Sequence, residues 1–229
     1  MNFAKTELGD NTFEDLVDSI EQLEYSRDRS YGFVIESLKP EQISAHLIIT
    51  TPVKIQDYNE ESREIINKQV DKTELIPFQI DLKRNFLEVF SNQSDTSEVK
   101  TRLGEAMGWK ISITESPLNL AKLYDALKET DYETNITSLQ IKNFSVDDNT
   151  TGSYRMNVFE ESEGIEYLSE YQNNVSYLCV ELSDEIETAT VGFYRSGSIR
   201  IYSNIETDAH LLEKIKVALN SSEGVTKNA

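Results

Sequence analysis

The chain has 229 residues, of which 38% are apolar, with a mean hydropathy of -0.48 and 22 basic against 41 acidic side chains, a formal charge of -19. That charge repels duplex nucleic acid and anionic lipid unless cations gather locally, and no apolar run approaches the roughly 20 residues that cross a bilayer. The single cysteine, Cys179, precludes an internal disulfide, and its apolar surroundings at 175–182 predict a buried thiol.

In chain order, residues 1–8 read as a short strand. Asn11-Thr12 then offers a helix cap, and Phe13, Leu16, Val17, Ile20 and Leu23 follow at helical spacing, with Glu14, Asp15 and Asp18 suited to the positive end of that helix. Residues 31–38 and 43–55 read as two strands across Lys39-Pro40-Glu41, and 60–70 as a short helix with Ile65 and Ile66 inward. Phe78, Ile80 and Leu82 form a strand, Lys83-Arg84-Asn85 a turn, and 86–90 its return. A helix over 97–107 would bury Val99 and Leu103.

The order then recurs. Residues 109–114 read as a strand, and Ser116-Pro117 starts a helix carrying Leu120, Leu123, Tyr124 and Leu127. Strands follow at 138–146 and 152–159 across the polar turn 147–151, then a short helix at 163–171 and a strand at 175–182. Ser196-Gly197 punctuates a hairpin whose flanks alternate. Val191, Phe193, Ile199 and Ile201 suit one face, and Tyr194, Arg200 and Tyr202 the other. A closing helix at 207–219 buries Leu211, Leu212, Ile215 and Leu219; residues 221–229 read as a frayed tail.

Phe90-Ser91-Asn92 aligns with Tyr202-Ser203-Asn204, and Val99, Leu103 and Met107 fall on Leu211, Ile215 and Leu219 at the same offset. The expectation is an α+β protein of two tandem, pseudo-symmetric halves, 1–108 and 109–220, each with antiparallel strands and helices on one face. The stretch 164–218 also resembles one half of a TATA-binding protein: short helix, strand, a hairpin Tyr194-Arg195-Ser196-Gly197-Ser198, and a long helix. The resemblance implies a TATA-binding-protein-like fold with Tyr194 in the place of a groove-facing aromatic. Its first-half counterpart is Leu82, Ser198 replaces the hairpin lysine, and Glu181 stands near a family arginine. Those departures, with the acidic charge, argue against DNA bending and for a reused scaffold.

Catalytic apparatus is sparse. The two histidines, His46 and His210, sit in an apolar strand and a helix and read as structural. There is no zinc-type Cys/His spacing, no phosphate-cradling glycine loop and no Gly-x-Ser-x-Gly, so no metal or cofactor is expected. The N-terminal residues lack a signal-peptide layout, which leads to a cytoplasmic expectation with no membrane association. The most suggestive surface is aromatic and cationic: Tyr194, Arg195, Arg200 and Tyr202, with Lys83 and Arg84 at the matching turn. The leading reading is a non-catalytic binding or scaffolding protein for a protein partner or a second copy. Alternatives are a nucleic-acid binder with a local Arg/Tyr stripe, which charge disfavours, and an enzyme built on carboxylates at the junction of the halves.

Overall fold

Thr12 opens the first helix through a reciprocal cap: its hydroxyl accepts from the Asp15 amide (3.1 Å), and the Asp15 carboxylate accepts from the Thr12 amide (2.8 Å). Asn92 and Asn119 begin later helices by accepting from Asp95 N–H and Lys122 N–H. The computed structural model describes residues 1–61, 63–115, 117–147, 150–185, 188–202 and 209–223. Among these the chain is mixed α+β and divides into two compact units, Met1–Thr114 and Glu115–Ala229.

The first unit runs β1 (Asn2–Glu7), α1 (Phe13–Gln22), β2 (Tyr31–Lys39), β3 (Gln42–Asn59), β4 (Glu64–Asp81), β5 (Phe86–Val89), α2 (Gln93–Ala106) and β6 (Ser112–Glu115). Its strands form one sheet in the order β2-β3-β4-β5-β1-β6. Leu16 and Ile20 of α1, with Val99 and Leu103 of α2, join one core with Phe33, Leu47, Phe78, Ile80 and Leu87. Helical spacing of 3.6 and strand spacing of 2 thus meet on one face of the sheet.

The 60–70 segment corrects the sequence expectation. It is not a helix: Glu64–Asp81 is one strand, in continuous register with β3 from Asn59↔Glu64 to Gln42↔Asp81. Ile65 and Ile66 are adjacent, so a helix could not align both with further apolar residues except Val70, whereas β-branched residues suit an extended chain. Arg63, at φ 55°, takes the left-handed conformation in the turn. The outer part of this hairpin is an arm; from 51 to 75, among the described residues, only Val53 and Val70 are even half-buried.

The second unit comprises α3 (Leu120–Lys128), β7 (Glu133–Asp147), β8 (Thr150–Asn157), α4 (Glu161–Glu170), β9 (Val175–Ser183), β10 (Thr188–Tyr194), β11 (Ile199–Ile201) and α5 (Ala209–Glu223). Its sheet is ordered β11-β10-β9-β7-β8. Leu123 and Leu127, Leu168, and Leu211 and Ile215 are buried on the three helices, as are Leu139, Leu178, Val180, Val191 and Phe193 on the strands. Gly164 lets α4 approach the sheet closely, since a Cβ there would lie 3.1 Å from Ile136 Cβ.

Several boundaries differ from the sequence expectation. The strand read as opening the second half is β6, which pairs within the first sheet. The next helix starts at Leu120 after its Asn119 cap rather than at Pro117. The last helix continues through Glu223, three residues into the stretch read as a frayed tail. The expectations at Ser116, Asp148-Asn149, Ser203-Asn204, 207–208 and 224–229 lie outside the described residues. The two strand orders also differ: β3 carries the first meander onward, but in the second unit the earlier hairpin strand, β7, borders β9. Among the described residues no helix is long and apolar enough to cross a membrane.

Candidate functional site

In β9, Leu178, Val180 and Leu182 face the helices, so Tyr177, Cys179 and Glu181 face the other way. The register places Tyr177 opposite Tyr194 and Gln140, and Cys179 opposite Gly192 and Ser138. Gly192 lies opposite Arg200 on β11, while Arg155 of β8 lies opposite Gln140. The face opposite these helices therefore collects Arg155, Tyr177, Tyr194, Arg200 and Tyr202 from four strands and the residue after β11.

These side chains form a row. The Tyr177 and Tyr194 ring centroids are 4.7 Å apart at 50°. The Arg155 guanidinium carbon is 5.3 Å from the Tyr177 centroid, and that of Arg200 is 5.3 Å from the Tyr194 centroid. Each distance lies within cation–π range. Tyr177 is only 3% exposed, Tyr202 is 52% exposed, and their hydroxyls are 3.2 Å apart. Gly192 makes room for them: a Cβ there would lie 2.8 Å from the Tyr177 ring and hydroxyl and 3.0 Å from Tyr202 Cε2.

Burial pushes the Tyr177 phenol above its ordinary range, and hydrogen bonding to Cys179 and Tyr202 adds to this. Tyr202 is lowered, chiefly by that bond to Tyr177, in which either hydroxyl can donate. Tyr194 is raised by burial and by its bond with Tyr202, against the opposing pull of Arg200 and Arg155. Tyr177 and Tyr194, both raised, are held in the neutral form beside two cations. Arg155 and Arg200 are exposed and form no ion pair among the described residues. The face offers ring surfaces and N–H and O–H donors, with Glu181 half-buried on its β9 row.

Of the residues singled out from sequence, the structure brings together Tyr194, Arg200 and Tyr202. Arg195 does not join them: its guanidinium donates to the Asn173 carbonyl, while its backbone bonds Ser176 and Leu118. Arg84 belongs to the first unit, where it meets Asp81 at 2.7 Å and closes its own turn; Lys83 beside it is exposed. Tyr177 and Arg155 were missed. The alternation of 175–182 carried a signal for Tyr177, but Arg155 required the pairing of β7 with β8 and β9.

His46 lies on β3, with Nδ1 4.0 Å from a Glu36 carboxylate oxygen, and His210 on α5 beside the Tyr132 ring. Among the described residues no group of three or more His, Cys, Asp and Glu side chains could hold a metal ion. No known protein-family model matches the sequence, and no curated protein is significantly similar to it.

Proposed function

We propose that this is a non-catalytic binding or scaffolding protein that holds a protein partner on the face of its second sheet opposite the helices. The observation that carries the reading is the Arg155–Tyr177–Tyr194–Arg200 row, with exposed cations at both ends of a tyrosine pair. Tyrosine supplies rigid contact area at low entropic cost, and arginine grips carbonyl and carboxylate oxygens; both are enriched at interface hot spots. Lys83, Arg84 and Arg195 are not part of this face. The scaffold is proposed to be a reused TATA-binding-protein-like one. A duplication giving the two units would have required re-pairing of their first hairpins, because the strand orders differ.

The test is native-salt recovery of the intact chain with its complexes, beside the Tyr194→Ala and Arg155→Glu/Arg200→Glu variants. A stoichiometric complex with a protein or a second copy is expected, weakened about 30-fold by each variant, the equivalent of roughly 2 kcal/mol. A monomeric, unbound wild-type chain counts against the proposal. A second reading, single-stranded nucleic acid, is favoured by the arginine-flanked ring pair, which suits base stacking. It requires binding that falls steeply with salt; no binding at low salt removes it.

A further inference from the structure

The first unit contains a second recognition feature, independent of the tyrosine–arginine face. Residues 107–111 turn sharply after α2: Gly108 and Trp109 both have positive φ, 57° and 60°. The Trp109 amide donates to the Gly104 carbonyl at 2.7 Å, folding its ring back over that glycine. A Cβ on Gly104 would sit 2.6 Å from Trp109 Cζ3, so the absence of a side chain is what seats the indole. Trp109 is nevertheless 69% exposed. Its ring borders a cavity of about 200 Å³ lined also by Lys100, Thr101, Ile111 and Ile113.

The cavity lies between α2 and β6, and β6 is the terminal strand of its sheet. Terminal strands offer backbone donors and acceptors to an incoming extended chain, whose alternate side chains enter any pocket beside the edge. The volume falls below the 300–1,000 Å³ of drug-sized ligand sites and suits one large side chain. Ile111 and Ile113 are alternate residues and line the same cavity, so the wall is apolar. One cation lines the opening, Lys100, which forms no ion pair among the described residues; the charge of Lys110 acts instead on the Asp15 carboxylate of α1. Arg102 is committed elsewhere, to Glu98 and Glu105. In a chain of charge -19, an apolar notch with Lys100 at its opening complements a carboxylate rather than a cation.

We propose that the edge of β6 and the Trp109 cavity form a docking site for an extended peptide segment of a protein partner, one that inserts a large aliphatic side chain flanked by a carboxylate. The peptide adds to β6 as a further strand, its aliphatic residue meets Trp109, Ile111 and Ile113, and a flanking carboxylate lies near Lys100.

Trp109 is the chain's single tryptophan, so its emission reports on this site directly. The probe is a capped peptide, Glu-Val-Leu-Val-Glu-Thr, titrated into the intact protein. Controls replace both glutamates by lysine, or the valines by proline to remove edge hydrogen bonds. The expected result is a saturable blue shift with the glutamate peptide, about three- to fivefold weaker binding with the lysine peptide, and none with the proline peptide. Lys100→Glu should reverse the preference between the charged peptides, and Ile113→Val, a smaller apolar side chain, should weaken the response while circular dichroism stays native. The proposal is overturned by an unmoved emission up to about 1 mM glutamate peptide, by equal binding of the proline peptide, or by indifference to Lys100→Glu.

Discussion

Replacing Gly192 by alanine tests whether the tyrosine row is a built surface. Gly192 lies in a strand paired on both sides, to Cys179 and to Arg200, so the backbone has little freedom to retreat. The added methyl would be 2.8 Å from the Tyr177 ring and hydroxyl, so Tyr177 must move by about half an ångström or more to reach ordinary contact. Its escape is limited by Tyr194 at 4.7 Å on one side and Arg155 at 5.3 Å on the other. Overpacking of this kind costs about 1–3 kcal/mol, and weakening the Tyr177–Tyr202 hydrogen bond adds roughly 1. The lower backbone entropy of alanine in a strand returns about 0.5–1. The expected balance is a destabilisation of about 1–3 kcal/mol, a fall in Tm of roughly 2–10 °C. Thermal unfolding followed by circular dichroism measures it, and the near-ultraviolet tyrosine signal should change with it. A Gly192→Ala protein with parental Tm and an unchanged tyrosine spectrum would refute the packing described here.

Gly32→Ala is a harsher case, because the new Cβ would lie 2.4 Å from Tyr25 Cα, a backbone atom in the segment that bonds Phe33. Denaturant titration should show a loss of about 3 kcal/mol or more, and a near-neutral result would mean that this chain crossing is not as close as described. Excising residues 54–69 and joining the paired Val53 and Val70 through Asn-Gly should change stability by less than about 1 kcal/mol, since the arm adds no fully buried side chain among the described residues; a larger loss in a melting experiment would show that the arm is packed. The Glu161 carboxyl is held below its usual range by the Tyr124 hydroxyl (2.9 Å) and by Lys128 (3.2 Å). Its native pKa is depressed, so the stabilisation is complete above the unfolded carboxylate range near pH ~4.3 and is lost as pH falls through the lower native value. Glu161→Gln should flatten that acid limb in stability measured from pH 6 to 3, and an unaltered limb would deny the contact its effect.

Much of the architecture was legible locally. The spacing of Leu16 and Ile20, of Val99 and Leu103, and of Leu123 and Leu127 marked three helices, because a buried stripe must recur with the helical period. The alternation Val191-Gly192-Phe193-Tyr194 and Ile199-Arg200-Ile201-Tyr202 separated the faces of the last hairpin, and the registers Val191↔Ile201 and Phe193↔Ile199 follow it. The 60–70 stretch failed for a physical reason: a polar segment with Ile65 beside Ile66 has no single period, and its extended form is imposed by eighteen residues of pairing with β3.

The sequence by itself determined the acidic charge, the mixed α+β class, and the two-sidedness of the strand that carries Tyr194. The tertiary structure alone decided which neighbours each face acquires. Arg155 reaches Tyr177 because β7 lies between β8 and β9. Arg195, next to Tyr194 in the chain, is held at Asn173 instead. Trp109 stands over a glycine five residues earlier because the chain reverses in the left-handed region after α2. Periodicity and charge are properties of consecutive residues and can be read along the chain. Strand order is a choice among non-local pairings of similar local energy, and only the closed core selects among them.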